Sequence, residues 1–164
     1  MSPPTDVALD AAANRLASTL LDQQLKLVCA ESCSGGWVAK VCTDRAGSSG
    51  WFAHGLVAYS NRAKTDLLGV QPDVIEQHGA VSAETAQAMA AGARGDVPGR
   101  VALAVTGIAG PAGATRDKPV GLVWFGWALA SGQVAVEAAR FPGDRDAVRR
   151  ASVLMALDGL TRRL

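Results

Sequence analysis

Four stretches of this chain carry residue types that could do chemistry. In "ESCSGG" (31–36), Ser32, Cys33, Ser34, Gly35 and Gly36 lie between the apolar runs "LKLVCA" and "WVAKVC". A serine at such a junction can act as a nucleophile, its turn amides can hold an anion, or Ser32 or Ser34 can cap a helix. The spacing is not GxGxxG, GxxxxGK[ST] or GxSxG, so none of those mechanisms applies. "YSNRAK" puts Tyr59 and Lys64 five residues apart. With no histidine beside the serine, a lysine could be the base if burial lowers its pKa from ~10.4 towards neutrality. A three-unit shift costs about 4 kcal/mol, so that role requires a dry pocket; an exposed helix lysine is the alternative. YxxxK, which a short-chain dehydrogenase would need, is absent. "TGIAGPAG" (106–113) is a glycine-rich segment that can bring amides close to an anion or form a plain turn. "FPGDRDAVRR" places Arg145 at the start of a helix, where a cation opposes the helix dipole, a placement that suits ligand binding as well as a surface arginine.

The elements around these stretches follow from periodicity. "DVALDAAANRLASTLLDQQ" has helical spacing through Val7, Leu9, Ala13, Leu16, Leu20 and Leu21, with Thr5 or Asp6 as cap. Residues 25–30 read as a buried strand and 34–45 as a helix, so "ESCSGG" joins the two. Residues 51–60 read as a strand weakened by Gly55, followed by short helices in "NRAKTDLLG" and "QPDVIEQHG" and a longer one capped by Ser82. Residues 100–107 form a second buried strand leading into the long loop "IAGPAGATRDKP", and loops of that length are often functional. "VGLVWFGWALA" and "QVAVEAARF", joined by Ser131-Gly132, read as an antiparallel hairpin, and Asp144 caps a C-terminal helix. The expectation is an N-terminal tail over 1–6 and, over 7–164, a single three-layer α/β/α domain whose mixed sheet includes that hairpin.

Composition narrows the function classes. At 164 residues one core is available, and roughly 70% of the unfolded surface can be buried. A net charge of +1 and 5% aromatic residues give no footing for nucleic acid. No run reaches the ~20 apolar residues of a membrane span, and "MSPPTDVALD" lacks the order of a signal peptide, so a soluble, cytoplasmic protein is expected. Cys29, Cys33 and Cys42 lack zinc-site spacing and His54 and His78 are far apart, so neither a metal nor a disulfide framework is expected. "VWFGW" could supply a homodimer surface, although core packing is its simpler role.

Together and in this order, "AESCSGG", "VAYSNRAKTDLLGV" with "HGAVSAETA", "ALAVTGIAGPAGATRDKPVG" and "FPGDRDAVRRASV" resemble the CinA C-terminal-domain family, the nicotinamide-nucleotide amidohydrolases. The resemblance spans about Ala8 to Leu164. It implies hydrolysis of the carboxamide of nicotinamide mononucleotide to nicotinate mononucleotide and ammonia, in pyridine-nucleotide recycling, with no metal and no cofactor. It further implies Ser32 as nucleophile with Tyr59 and Lys64 assisting, and a substrate site drawn from Cys33, Ser34, Gly35, Gly36, Asn61, Thr106, Gly107, Gly110 and Arg145. Ser34 stands where the family has threonine, and Ala112 where it commonly has glycine. The expected oxyanion donors lie between Cys33 and Gly36, Ser34 caps the following helix, and "TGIAGPAG" with Arg145 holds phosphate. The length fits the stand-alone form, without the additional N-terminal domain of longer CinA proteins. The alternatives are an amidase for another small molecule and a non-catalytic competence or DNA-damage interaction module.

Overall fold

The computed structural model describes residues 2–164. Helix α1 (Asp6–Asp22) leads into β1 (Lys26–Glu31), α2 (Trp37–Thr43), β2 (Phe52–Val57), α3 (Asn61–Leu68), α4 (Pro72–His78) and α5 (Ala83–Arg94). Strands β3 (Arg100–Gly107), β4 (Leu122–Ala128) and β5 (Val134–Arg140) and helix α6 (Arg145–Thr161) complete the domain. The sheet order is β2-β1-β3-β4-β5, parallel among the first three strands and antiparallel from β3 to β5. This is the expected mixed α/β sheet with its C-terminal hairpin.

Strand alternation divides the core in two. Leu27, Cys29, Val101, Leu103, Val105, Val123, Phe125 and Trp127 point to one face and pack with α1, α2 and α6. Val28, Ala30, Ala102, Ala104 and Ala128 point to the other, beneath α3 and α5. The second face is built from small residues, which lets α5 lie close: a Cβ on Gly126 would fall 2.4 Å from the Ala86 carbonyl oxygen. On the first face Trp127 is fully buried, donates from Nε1 to the Ala156 carbonyl at 2.9 Å and stacks on Phe125.

Local chemistry sets the element ends. Thr5, not Asp6, caps α1, accepting from the Ala8 amide, and Ser82 and Asp144 cap α5 and α6 as expected. Val7 and Leu21, assigned by periodicity to the apolar stripe of α1, are exposed; the face that meets α6 and the sheet is the narrower one through Leu9, Ala12, Ala13, Leu16 and Leu20. Gly55 does not break β2, because it packs where a Cβ would lie 2.9 Å from Cys29 Sγ. "VWFGW" contributes to the core as expected: β4 is paired on both sides, and Val123, Phe125 and Trp127 are buried, while Trp124 is half-buried. No helix among the described residues is long and apolar enough to cross a membrane.

Candidate functional site

Strand β1 ends on Glu31, and Ser32 is the first residue of the turn beyond it. The Ser32 amide continues the ladder onto the Val105 carbonyl at 3.0 Å, and the Glu31 carbonyl accepts from the Ala58 amide at 2.8 Å. The serine is therefore held from the strands on both sides. Beyond β2 the chain runs through Ala58 and Tyr59 into α3, whose cap Ser60 accepts from the Ala63 amide. Lys64 lies on the inward face of α3, 1% exposed. Its Nζ is 3.1 Å from Ser32 Oγ, 3.0 Å from the Ala58 carbonyl oxygen and 3.1 Å from that of Tyr59.

Those three neighbours suit a base. As an ammonium, Lys64 donates to all three; as a neutral amine, it keeps two N–H donors for the carbonyls and turns its lone pair to the Ser32 hydroxyl. Burial lowers its pKa from the ordinary value of 10.5, against a smaller opposing effect from Cys33, and no carboxylate forms an ion pair with it among the described residues. Cys33, beside the serine, is pushed by burial up to about 11 and so remains a thiol at neutral pH.

These groups open onto a cleft of about 230 Å³. Its walls include Ser32, Cys33, Tyr59, Asn61, Lys64, Thr106, Gly107, Gly110 and Arg145, all named from the sequence. Thr106 is buried and donates from Oγ1 to the Ala80 carbonyl at 2.7 Å. Arg145 reaches across the mouth, donating to the Gly110 carbonyl at 2.7 Å and to the Tyr59 hydroxyl at 3.1 Å. Tyr59 thus faces Lys64 through its backbone carbonyl, while its phenol is turned to Arg145. Gly110 has φ +84°, and a Cβ there would fall 2.6 Å from a Val120 methyl, so the loop takes this path because that residue is glycine.

Ser34, Gly35 and Gly36 lie outside the cleft. Ser34 is fully buried, and its hydroxyl has no hydrogen-bond partner among the described residues. It does not cap α2; Gly36 occupies that position at φ 93°, without a side-chain cap of its own. The capping oxygen atoms come from Glu31. Its carboxylate, 0% exposed, accepts from the amides of Gly36 and Val38 at 3.0 Å and of Ala39 at 2.8 Å. The Gly35 amide donates to the Ser32 carbonyl. Of the turn amides expected to serve an oxyanion, those of Gly35 and Gly36 are therefore taken, while those of Cys33 and Ser34 have no hydrogen-bond partner among the described residues.

Sequence reading gave no role to Glu31, to Arg149, or to Ala80 and Val81. Arg149 donates from α6 to the Ser34 carbonyl at 2.8 Å, and Ala80 and Val81 line the cleft. The acid at a strand end before a short helix without its own capping side chain was the available signal for Glu31. Nothing local announces Arg149, 115 residues from its partner. Among the described residues no group of three or more His, Cys, Asp or Glu is placed to hold a metal ion.

The CinA C-terminal domain family model matches residues 9–164. The chain is 46% identical over 156 residues to the nicotinamide-nucleotide amidohydrolase PncC of Escherichia coli K12, covering 95% of this chain and 94% of that one. It is 50% identical over 159 residues to a CinA-like protein of Geobacter sulfurreducens, of which the match covers 38%. The crystal structure of the competence/damage inducible protein CihA of Agrobacterium tumefaciens superposes with a TM-score of 0.91 at 39% identity, covering 99% of this chain and 98% of that one. The chain belongs to the CinA C-terminal-domain family.

Proposed function

We propose that this protein is a nicotinamide-nucleotide amidohydrolase that converts nicotinamide mononucleotide and water to nicotinate mononucleotide and ammonia, using Ser32 as nucleophile and Lys64 as base. The observation that carries the reading is the buried Lys64 Nζ at 3.1 Å from Ser32 Oγ with two carbonyls as its other partners. Similarity to the E. coli amidohydrolase supplies the substrate.

The Ser32 oxygen attacks the carboxamide carbon as its proton passes to Lys64. The carbonyl oxygen becomes the oxyanion, for which the Cys33 amide in the cleft wall is a donor, a contact worth roughly 3 kcal/mol. Collapse breaks the C–N bond, and Lys64 returns the proton to the departing ammonia. Water, deprotonated by Lys64, then hydrolyses the ester and frees Ser32. Direct transfer needs no relay, so Tyr59 is assigned to hold Lys64 through its carbonyl and Arg145 through its phenol. The substrate phosphate belongs at the far end of the cleft, with Arg145 and the amides of the 109–113 loop.

The test is ammonia release from nicotinamide mononucleotide, nicotinamide riboside, nicotinamide and glutamine, with and without a chelator. Turnover of the nucleotide, unaffected by chelation, weak turnover of the riboside and its loss in a folded Ser32→Ala variant are expected. Near-normal turnover by Ser32→Ala would remove the assignment of the nucleophile, and preference for glutamine would remove that of the substrate.

A further inference from the structure

Glu31 is buried, charged and unused by the chemistry above. Burying a carboxylate is costly unless its oxygens are satisfied. Here no Lys or Arg side chain bonds to it among the described residues; three backbone amides do so, with Cys29 Sγ approaching Oε1 at 3.5 Å. The amides span Gly36 to Ala39, the first turn of α2, while Glu31 itself immediately precedes Ser32. One side chain thus closes a ring from the end of β1 to the start of α2, and the turn carrying Ser32 is the segment enclosed.

We infer that Glu31 is a positioning residue for the nucleophile: its carboxylate ties α2 to the end of β1, so that the intervening turn holds Ser32 Oγ on Lys64 and leaves the Cys33 and Ser34 amides unclaimed. This inference rests on Ser32 being the nucleophile. A carboxylate is required because all three partners donate. Glutamine would set an NH₂ group against one of those amides, and aspartate, shorter by one methylene, cannot reach from Gly36 to Ala39. The Arg149 bond to the Ser34 carbonyl steadies the same turn from α6 without supplying this closure.

The experiment measures Glu31→Gln beside wild type and Ser32→Ala, with the folded fraction taken from circular dichroism and the reactive serine counted by stoichiometric acylation. For Glu31→Gln the expectation is a kcat per reactive serine lowered by about 100-fold, as for a displacement of roughly 1 Å, with KM changed by less than about twofold. A purely structural role would reduce the number of reactive serines and leave turnover per site intact, which would overturn the inference, as would KM rising as far as kcat falls. If Ser32→Ala is active, the nucleophile assignment itself is wrong; if it is inactive while Glu31→Gln turns over normally, only the inference fails. Should Glu31→Gln not fold, amide exchange in the wild-type protein decides. Gly36, Val38 and Ala39 are expected to be protected, and Cys33 to exchange faster and shift on addition of nicotinate mononucleotide; equal exchange across the four would overturn the proposal.

Discussion

Around Lys64 Nζ, the neighbours are two carbonyls and a hydroxyl, and no ion pair compensates the ammonium among the described residues. Burial therefore favours the neutral amine, and the folded pKa lies below the ordinary 10.5. Below the folded pKa both folded and unfolded chains carry the ammonium, and the full penalty of burying it is present. Between the folded and unfolded values the unfolded chain binds more protons, so stability rises with pH. Compared with Lys64→Met, wild type should gain melting temperature as pH rises from neutral towards the ordinary lysine value, whatever the offset at neutral pH. In activity, Lys64→Met should lower kcat by about 1,000-fold, and the wild-type kcat/KM should climb with pH along a limb centred below the ordinary value. A limb centred at or above that value would mean another base. The types at Ser32, Lys64, Thr106 and Arg145 were legible in the sequence. Their juxtaposition was not, since Ser32 and Lys64 are 32 residues apart and meet only because β1 and β2 are parallel neighbours.

At the scale of elements, the placement of α3 fixes the base, and α3 is located by its contact with α5. A Cβ on Gly92 of α5 would lie 1.8 Å from the Leu68 carbonyl oxygen at the end of α3. Gly92→Ala should therefore destabilise the protein by about 3 kcal/mol through overpacking and, because the displaced helix carries Lys64, lower kcat in the molecules that remain folded. Denaturant midpoints and turnover per folded molecule check both; an unchanged midpoint would mean that the two helices do not meet this closely. Periodicity located nearly every element, because each buries a regular stripe. It erred at α2, which starts at Trp37 rather than Ser34: Glu31 caps it from across the turn, a bond that the hydrophobic period does not record.

The whole molecule is an asymmetric sandwich, with bulky side chains against α1, α2 and α6 and alanines beneath α5. Trp127, one of two tryptophans buried on the bulky side, is packed so tightly that a Cβ on Gly159 would fall 2.1 Å from its ring. Trp127→Ala should cost about 3–5 kcal/mol in chemical denaturation while leaving KM for the nucleotide unchanged in the folded fraction, since Trp127 is not in the cleft wall. A KM increase matching the stability loss would show that the core and the cleft are coupled. By itself, the sequence determined the α/β class, the strand-turn-helix position of "ESCSGG" and the family, because hydrophobic period, capping residues and ordered motifs are local properties of the chain. Only the tertiary structure decided that Lys64 is buried against Ser32, that Tyr59 turns its phenol to Arg145, and that Glu31 rather than Ser34 closes α2. Each of those depends on which strands lie side by side and on how closely helices approach them, and packing of the whole chain settles both.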